Sequence, residues 1–173
     1  LGQIANEFIE LARPFKVEFQ VFSRHLGDFD AEARGLKKRS LEQIFSDCDV
    51  ITISAANTPE NRHMINHDLL RMIKPGAVLV NNARGALIDE KALIEELKTG
   101  RFCAALDVTD PEPPAMDSPL RSLPNVFLTP HSAGPTPDQW PWMVKEAADI
   151  IRAYFRNLPV WNIIDRKRYR YMA

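Results

Sequence analysis

Apolar positions recur along the chain in two periods, and the two periods predict alternating helices and strands. The apolar residues between 4 and 11 keep helical spacing up to Arg13-Pro14, which predicts a first helix. Val17, Phe19 and Val21 alternate with polar residues, which predicts a strand over 17–21. Further helices are predicted around 31–33, 41–45, 67–73 and 89–97, and further strands at 50–53, 77–80, 103–106 and 126–128.

This strand–helix alternation predicts an α/β fold with a doubly wound parallel sheet. The strand 50–53 is almost continuously apolar, which is typical of burial on both faces of a sheet. Ligands of such sheets bind outside the carboxyl ends of the strands. Several polar side chains directly follow predicted strands and should therefore share one edge: Ser23, Ser54, Asn81 to Arg84, Asp107 and His131.

Two residues that suit acid–base chemistry follow the last two predicted strands. Glu112 lies in a proline-rich loop after 103–106, and His131 follows 126–128. A neighbouring carboxylate favours the charged imidazole, which is the form that donates a proton to a carbonyl oxygen. From this pair alone, an unrelated loop glutamate and a strand-capping histidine stay an open alternative.

The first residues suit a dinucleotide-binding turn. Gly2-Gln3-Ile4-Ala5 leads directly into the first helix, and a glycine before Leu1 would complete the fingerprint Gly-Leu-Gly-Gln-Ile-Ala. Gly2 would then let the backbone approach the pyrophosphate, and the amides of Gln3 and Ile4 would point at it. Because Leu1 is not methionine and a helix starts at once, we expect this sequence to be a piece of a longer protein.

The residues after the predicted strand 17–21 bear on the choice of cofactor. A dinucleotide site that binds NAD(H) carries an acid there for the ribose 2′-hydroxyl, but this chain has Ser23 followed by Arg24. The missing carboxylate removes repulsion of a 2′-phosphate, and a guanidinium can bind one. The pair therefore favours NADP(H) over NAD(H), with a merely solvent-facing Arg24 as the alternative.

Composition excludes several classes of function. With 45% hydrophobic and 26% charged residues in 173, the chain suits a globular domain with a sizeable core. Its net charge of −1 gives no overall positive potential to attract nucleic acid. The basic cluster at 166–170 indicates a solvated terminus. No apolar run suits a membrane span, so we expect a cytoplasmic location. Cys48 and Cys103 are too few for a metal site and are predicted to be reduced packing residues.

The chain changes character after Gly134. Prolines at 135, 137 and 141 precede an apolar stripe at helical spacing, followed by an aromatic and arginine-rich tail. The stripe favours packing against a partner segment over binding a cofactor. We therefore expect two parts, a dinucleotide-binding domain over 1–134 and a C-terminal helix and tail over 135–173.

Several ordered motifs together resemble the D-isomer-specific 2-hydroxyacid dehydrogenases, the family of phosphoglycerate dehydrogenase, D-lactate dehydrogenase and glyoxylate/hydroxypyruvate reductase. The resemblance runs from Leu1 to about Ala148. Its motifs are Gly2 to Ala5, Thr58-Pro59-Glu60, Lys74 to Ala77, Asn81 to Gly85, Leu106-Asp107-Val108 with Glu112-Pro113, and Thr129-Pro130-His131 with Gly134.

The resemblance implies a role for each site residue. Arg84, next to Ala83, would bind the substrate carboxylate and polarise the 2-keto oxygen, and His131 would protonate that oxygen while Glu112 orients the imidazole. Asp107 would contact the nicotinamide carboxamide. The residues expected to bind the cofactor are Gly2, Gln3, Ile4, Ser23, Arg24, Ala83, Asp107, His131 and Gly134. The family's substrate domain is largely absent from this chain, and residues from 135 onward would return to it.

The resemblance leaves three functions to compare. The first is an NAD(P)-dependent oxidoreductase that acts on a small 2-keto or D-2-hydroxy acid and works as a homodimer. The second is a dinucleotide-sensing binding protein similar to the C-terminal-binding-protein corepressors, which act through partners. The third is an isolated cofactor domain without turnover of its own.

Overall fold

The computed structural model describes residues 1–169, apart from the side chains of Lys167 and Arg168. Arg170, in the basic cluster, lies outside the described residues. The helices are α1 Gln3–Ala12, α2 Asp28–Ala33, α3 Leu41–Asp47, α4 His67–Met72, α5 Glu90–Lys98, α6 Trp140–Phe155 and α7 Arg166–Tyr169. The strands are β1 Gln20–Val21, β2 Lys37–Lys38, β3 Val50–Ile53, β4 Val78–Asn81, β5 Cys103–Leu106 and β6 Val126–Leu128.

Every strand pairing in the described chain is parallel, which confirms the predicted α/β class. The strands form two sheets rather than the single sheet that we expected. β1 pairs with β2, and a four-stranded sheet has the order β3-β4-β5-β6. The two sheets arise because no described strand joins β1 to β3.

Two hydrophobic clusters correspond to the two sheets. The smaller cluster packs α1 and α2 on β1 through Ile9, Val21 and Ala31. The main cluster packs helices α3, α4 and α5 on the four-stranded sheet, with Leu79, Leu97 and Phe102 almost completely buried. The main cluster therefore supports the edge at which β4, β5 and β6 end.

Two predictions about strands are wrong in detail. The strand expected over 17–21 is only Gln20–Val21, because Lys16 adopts a left-handed conformation (φ 56°) after a 3-10 turn and Val17 is exposed. β3 is not buried on both faces. It is an edge strand of its sheet, and Val50 in it is 59% exposed.

The prediction that both cysteines pack in the interior is correct for only one of them. Cys103 is exposed, whereas Cys48 packs against the main cluster.

The loops after β4 and β5 contact each other closely at Gly85. A Cβ atom at this position would lie 2.1 Å from the carbonyl carbon and oxygen of Thr109. Only glycine fits there without displacing the backbone. The loop that carries Arg84 is thereby packed directly against the loop that leads to Glu112.

Candidate active site and cofactor-binding edge

Glu112 and His131 lie in contact on the loops that follow β5 and β6. The imidazole Nδ1 lies 2.5 Å from Glu112 Oε1. Both side chains are partly exposed, at 48% for His131 and 40% for Glu112. With Nδ1 held by the carboxylate, Nε2 is the nitrogen left to face a bound molecule.

The backbone at His131 is held in an uncommon conformation by Asp107. His131 has a φ of 54°, in the left-handed region that costs a non-glycine residue about 1 kcal/mol or more. Its amide donates to the Asp107 carbonyl at 3.0 Å. The Asp107 carboxylate accepts from the amides of Ser132 (2.8 Å) and Ala133 (2.9 Å) and from the Thr129 hydroxyl. Asp107 thus fixes the turn from which the imidazole projects.

These hydrogen bonds also set the pKa of Asp107. Burial raises it, but the Thr129 hydroxyl, the two turn amides and the nearby His131 outweigh burial, so the pKa lies below its usual value. The charged carboxylate is therefore the form that the folded protein stabilises.

We expect Asp107→Asn to lower the free energy of unfolding by about 1.5–3 kcal/mol at neutral pH, since an amide cannot accept all three bonds with the same strength. A lowered pKa in the folded state stabilises the protein above the pKa of the unfolded carboxyl, and this stabilisation is lost as the pH falls through the lowered value. Urea unfolding at neutral and acidic pH should show the difference between variant and parent shrinking in acid. Asp117→Asn, at an exposed loop carboxylate, is the matched control.

Arg84 lies at the neighbouring strand end and is placed by Asn81. The Asn81 side chain is buried; its Nδ2 donates to the Arg84 carbonyl (3.0 Å) and its Oδ1 accepts from the Ala83 amide (3.1 Å). The exposed Arg84 guanidinium donates to the Ala83 carbonyl at 2.7 Å. Because β4 and β5 are paired neighbours, Arg84 and the Asp107 turn follow adjacent strands.

The residues predicted to contact the pyrophosphate lie at the start of α1. Gly2 is the N-cap, and among residues 1–169 no atom beyond its chain neighbours lies within 4 Å of where a Cβ would be, so its backbone is open to an approaching group. The amides of Gln3 and Ile4 belong to the first turn, which has no intrahelical acceptors for them. An open glycine before free helix amides fits the pyrophosphate of a dinucleotide.

Ser23 and Arg24 follow β1 and contact other loops. The Ser23 hydroxyl accepts from the His25 amide at 3.3 Å. Arg24 donates to Oδ1 of Asn61. Asn61 is buried, and its Nδ2 donates to the Ala56 carbonyl at 2.8 Å. Gly134 is exposed in the loop after β6.

Asn61, Asn81 and Glu90 hold this edge together. The sequence pattern placed Asn81 at this edge without a role for its side chain, and it did not point to Asn61 or Glu90. Glu90 accepts from the amide of Asp110 at 2.9 Å. The sequence offers only weak signals for such residues, since buried amides and a first-turn glutamate are common in loops and helices of any protein. Their roles depend on loop geometry that no local pattern encodes.

Two properties of the described residues concern metal binding and membrane spanning. Within residues 1–169 no group of three or more metal-ligating side chains could hold a metal ion. None of the helices in that range is long and apolar enough to cross a membrane.

Comparison with known proteins identifies relatives of this arrangement. Residues 1–133 match the family model described as "D-isomer specific 2-hydroxyacid dehydrogenase, NAD binding domain". The chain is 33% identical to D-3-phosphoglycerate dehydrogenase of Bacillus subtilis, covering 95% of this chain and 31% of that protein. It is 32% identical to glyoxylate reductase of Aeropyrum pernix, covering 96% and 50% respectively.

A solved structure shows the same fold with a cofactor. The acyclic imino acid reductase Bsp5 in complex with NADPH and D-Arg superposes with a TM-score of 0.80 at 29% identity, over 94% of this chain and 51% of that one. The chain thus spans 31% to 51% of the length of these relatives.

Proposed function

Because the chain belongs to the D-isomer-specific 2-hydroxyacid dehydrogenase family, we propose that the full-length protein interconverts a 2-keto acid and a D-2-hydroxy acid with a nicotinamide cofactor. The observation that carries this proposal is the contact between His131 Nδ1 and Glu112 Oε1 at 2.5 Å. An imidazole held by a carboxylate at one nitrogen is suited to donate a proton from the other.

Each site residue has one task in the proposed reduction. Arg84 binds the substrate carboxylate and stabilises negative charge on the 2-keto oxygen, which suits its planar fork of donors. His131 gives the proton on Nε2 to that oxygen, and Glu112 stabilises the imidazolium before the transfer. The nicotinamide supplies the hydride that reduces the carbonyl carbon. The proton and the hydride together convert the ketone into a secondary alcohol.

An assay of the full-length protein tests this function. Reduced nicotinamide should be consumed with at least one member of a panel that includes glyoxylate, hydroxypyruvate and pyruvate, and chiral products should be the D-isomers. L-products, or binding of the cofactor without turnover of any 2-keto acid, would contradict the proposal. Cofactor binding without turnover is the result that the corepressor-type alternative expects.

We propose that the cofactor is NADP(H) in preference to NAD(H). Ser23 and Arg24 stand where an NAD-type site carries its acid, and Arg24 is held by Asn61 beside the end of β1. A fixed guanidinium loses less side-chain entropy when it binds a phosphate. The NADPH in the solved imino acid reductase shows that a related site of this fold accepts the phosphorylated cofactor.

Replacing Ser23 with Asp and Arg24 with Ala should reverse this preference. The new carboxylate accepts the ribose 2′-hydroxyl and repels a 2′-phosphate, so the ratio of kcat/KM for NADPH to that for NADH should fall about 100-fold or more. Steady-state kinetics with both cofactors measure the ratio. Arg71→Ala, at an exposed arginine in the last turn of α4 and before the start of β4, should leave the ratio unchanged. An unchanged ratio in the double variant would remove the assignment of Arg24.

We further propose that residues 135–173 form no part of the cofactor site and pack on the substrate-binding part of the protein. In α6 only Ala153 is buried, while Val144, Ile151 and Phe155, which lie at helical spacing on one face, are 70%, 57% and 78% exposed. An apolar face of this size needs a cover in water. We also propose that the full-length protein is a homodimer, as its resemblance to the family implies.

A further inference from the structure

The loop between β5 and Glu112 is held by groups that the proposed mechanism does not use. Val108 and Thr109 are buried, and the Thr109 hydroxyl donates to the Pro111 carbonyl at 2.8 Å. Asp110 stands between these residues and Glu112. Its contacts therefore hold the backbone two residues before Glu112.

Asp110 is clamped at two atoms. Its backbone amide donates to Glu90 Oε2 at 2.9 Å, and its carboxylate accepts from Arg62 Nη2 at 3.2 Å. Glu90 is the first residue of α5 and is half-buried, whereas the Arg62 side chain is 56% exposed. The bond to Glu90 is the better protected from water and is expected to be the stronger hold.

The same clamp connects the two catalytic loops. Gly85, directly after Arg84, lies against the Thr109 carbonyl so closely that no side chain fits. Glu90 lies five residues further along this segment and reaches the next residue of the same loop, Asp110. Two neighbouring contacts therefore fix the loop of Glu112 against the segment that begins with Arg84.

We infer that Glu90 is a positioning residue of the active site, which places the Glu112 carboxylate against His131 through the amide of Asp110. This inference rests on the proposed function of the Glu112–His131 pair. Glu90 itself touches no reacting atom. Its oxygen is needed as an acceptor at a fixed point, and its charge is not needed.

The burial of Glu90 agrees with a role as acceptor. Burial raises its pKa, the Asp110 carboxylate raises it further, and the hydrogen bond from the Asp110 amide lowers it. The charged groups that face Glu90 are thus Asp110 and, through Asp110, Arg62. Those that face His131 are Glu112 and Asp107.

Two substitutions in the full-length protein test the inference. Glu90→Ala frees the Asp110 amide, and a displaced Glu112 should lower kcat for 2-keto acid reduction about 10-fold or more. The loss of activity at high pH should also begin at lower pH, because the imidazolium loses the carboxylate that stabilises it. Glu90→Gln keeps an acceptor oxygen and should restore both readouts to within about twofold of the parent. Since glutamine does not titrate, this variant also removes the ionisation of Glu90 from the pH profile.

A third variant keeps the inference falsifiable if Glu90→Ala fails to fold. Arg62→Ala removes the exposed half of the clamp and should shift the same pH profile in the same direction by a smaller amount. Unchanged kcat and pH profile in folded Glu90→Ala, or in Arg62→Ala when Glu90→Ala does not fold, would overturn the inference. Glu112→Gln is measured in parallel. If it leaves the profile unchanged, the proposed function has failed; if only Glu112→Gln moves the profile, the positioning role alone has failed.

Discussion

His131→Ala should lower kcat for 2-keto acid reduction by about 10²–10⁴-fold, because the variant has no group to protonate the keto oxygen as hydride arrives. Binding of the reduced cofactor should change little, since the imidazole is assigned to proton transfer. Steady-state kinetics give kcat, and nicotinamide fluorescence gives the cofactor dissociation constant.

His63→Ala is the matched control for this prediction. His63 is exposed and has a φ of 51°, so alanine meets the same backbone conformation there as at position 131 (φ 54°). The control should keep the activity of the parent. Activity in His131→Ala equal to that of the control would remove His131 from the mechanism.

Arg84→Ala should lower kcat/KM for the keto acid by about 10²–10³-fold, because both the substrate carboxylate and the developing charge on oxygen lose their donor. Arg84→Lys should recover only part of the loss, since an ammonium cannot form the bidentate contact. The measurement is kcat/KM with several 2-keto acids at saturating cofactor.

Arg71→Ala serves as the control for Arg84. Arg71 lies in the last turn of α4, which leads into the start of β4 rather than following its end. Its loss should leave kcat/KM unchanged. Arg84 would have no role in substrate binding if its alanine variant matched this control.

Local pattern was enough to predict most of the elements. Strands β5 and β6 begin and end where their apolar runs do, and the helix predicted around 89–97 begins after Asp89, whose side chain accepts from the Ala92 amide. These features depend on spacing and on capping chemistry, which the sequence carries within a few residues. The exposed face of β3 and the split into two sheets depend on which strands become neighbours, and no local pattern contains that information.

The site also has one part that the sequence predicts and another part that it does not. The parallel order of β5 and β6 predicted that Glu112 and His131 could meet, and the structure brings them into contact. The loop contacts that hold them were not predictable. The turn bonds of Asp107, the side chain of Asn81 and the reach of Glu90 to Asp110 are set by how loops pack. The roles of Arg84 and the cofactor residues stay predictions.

The pH dependence of kcat/KM in Glu112→Gln is the most direct test of the central claim, that a carboxylate-held imidazole protonates the substrate. We predict activity near that of the parent at acidic pH, and a deficit that widens to about 10-fold or more as the pH rises and the uncharged imidazole can no longer donate. A ratio of variant to parent activity that stays constant across the pH range would contradict the account.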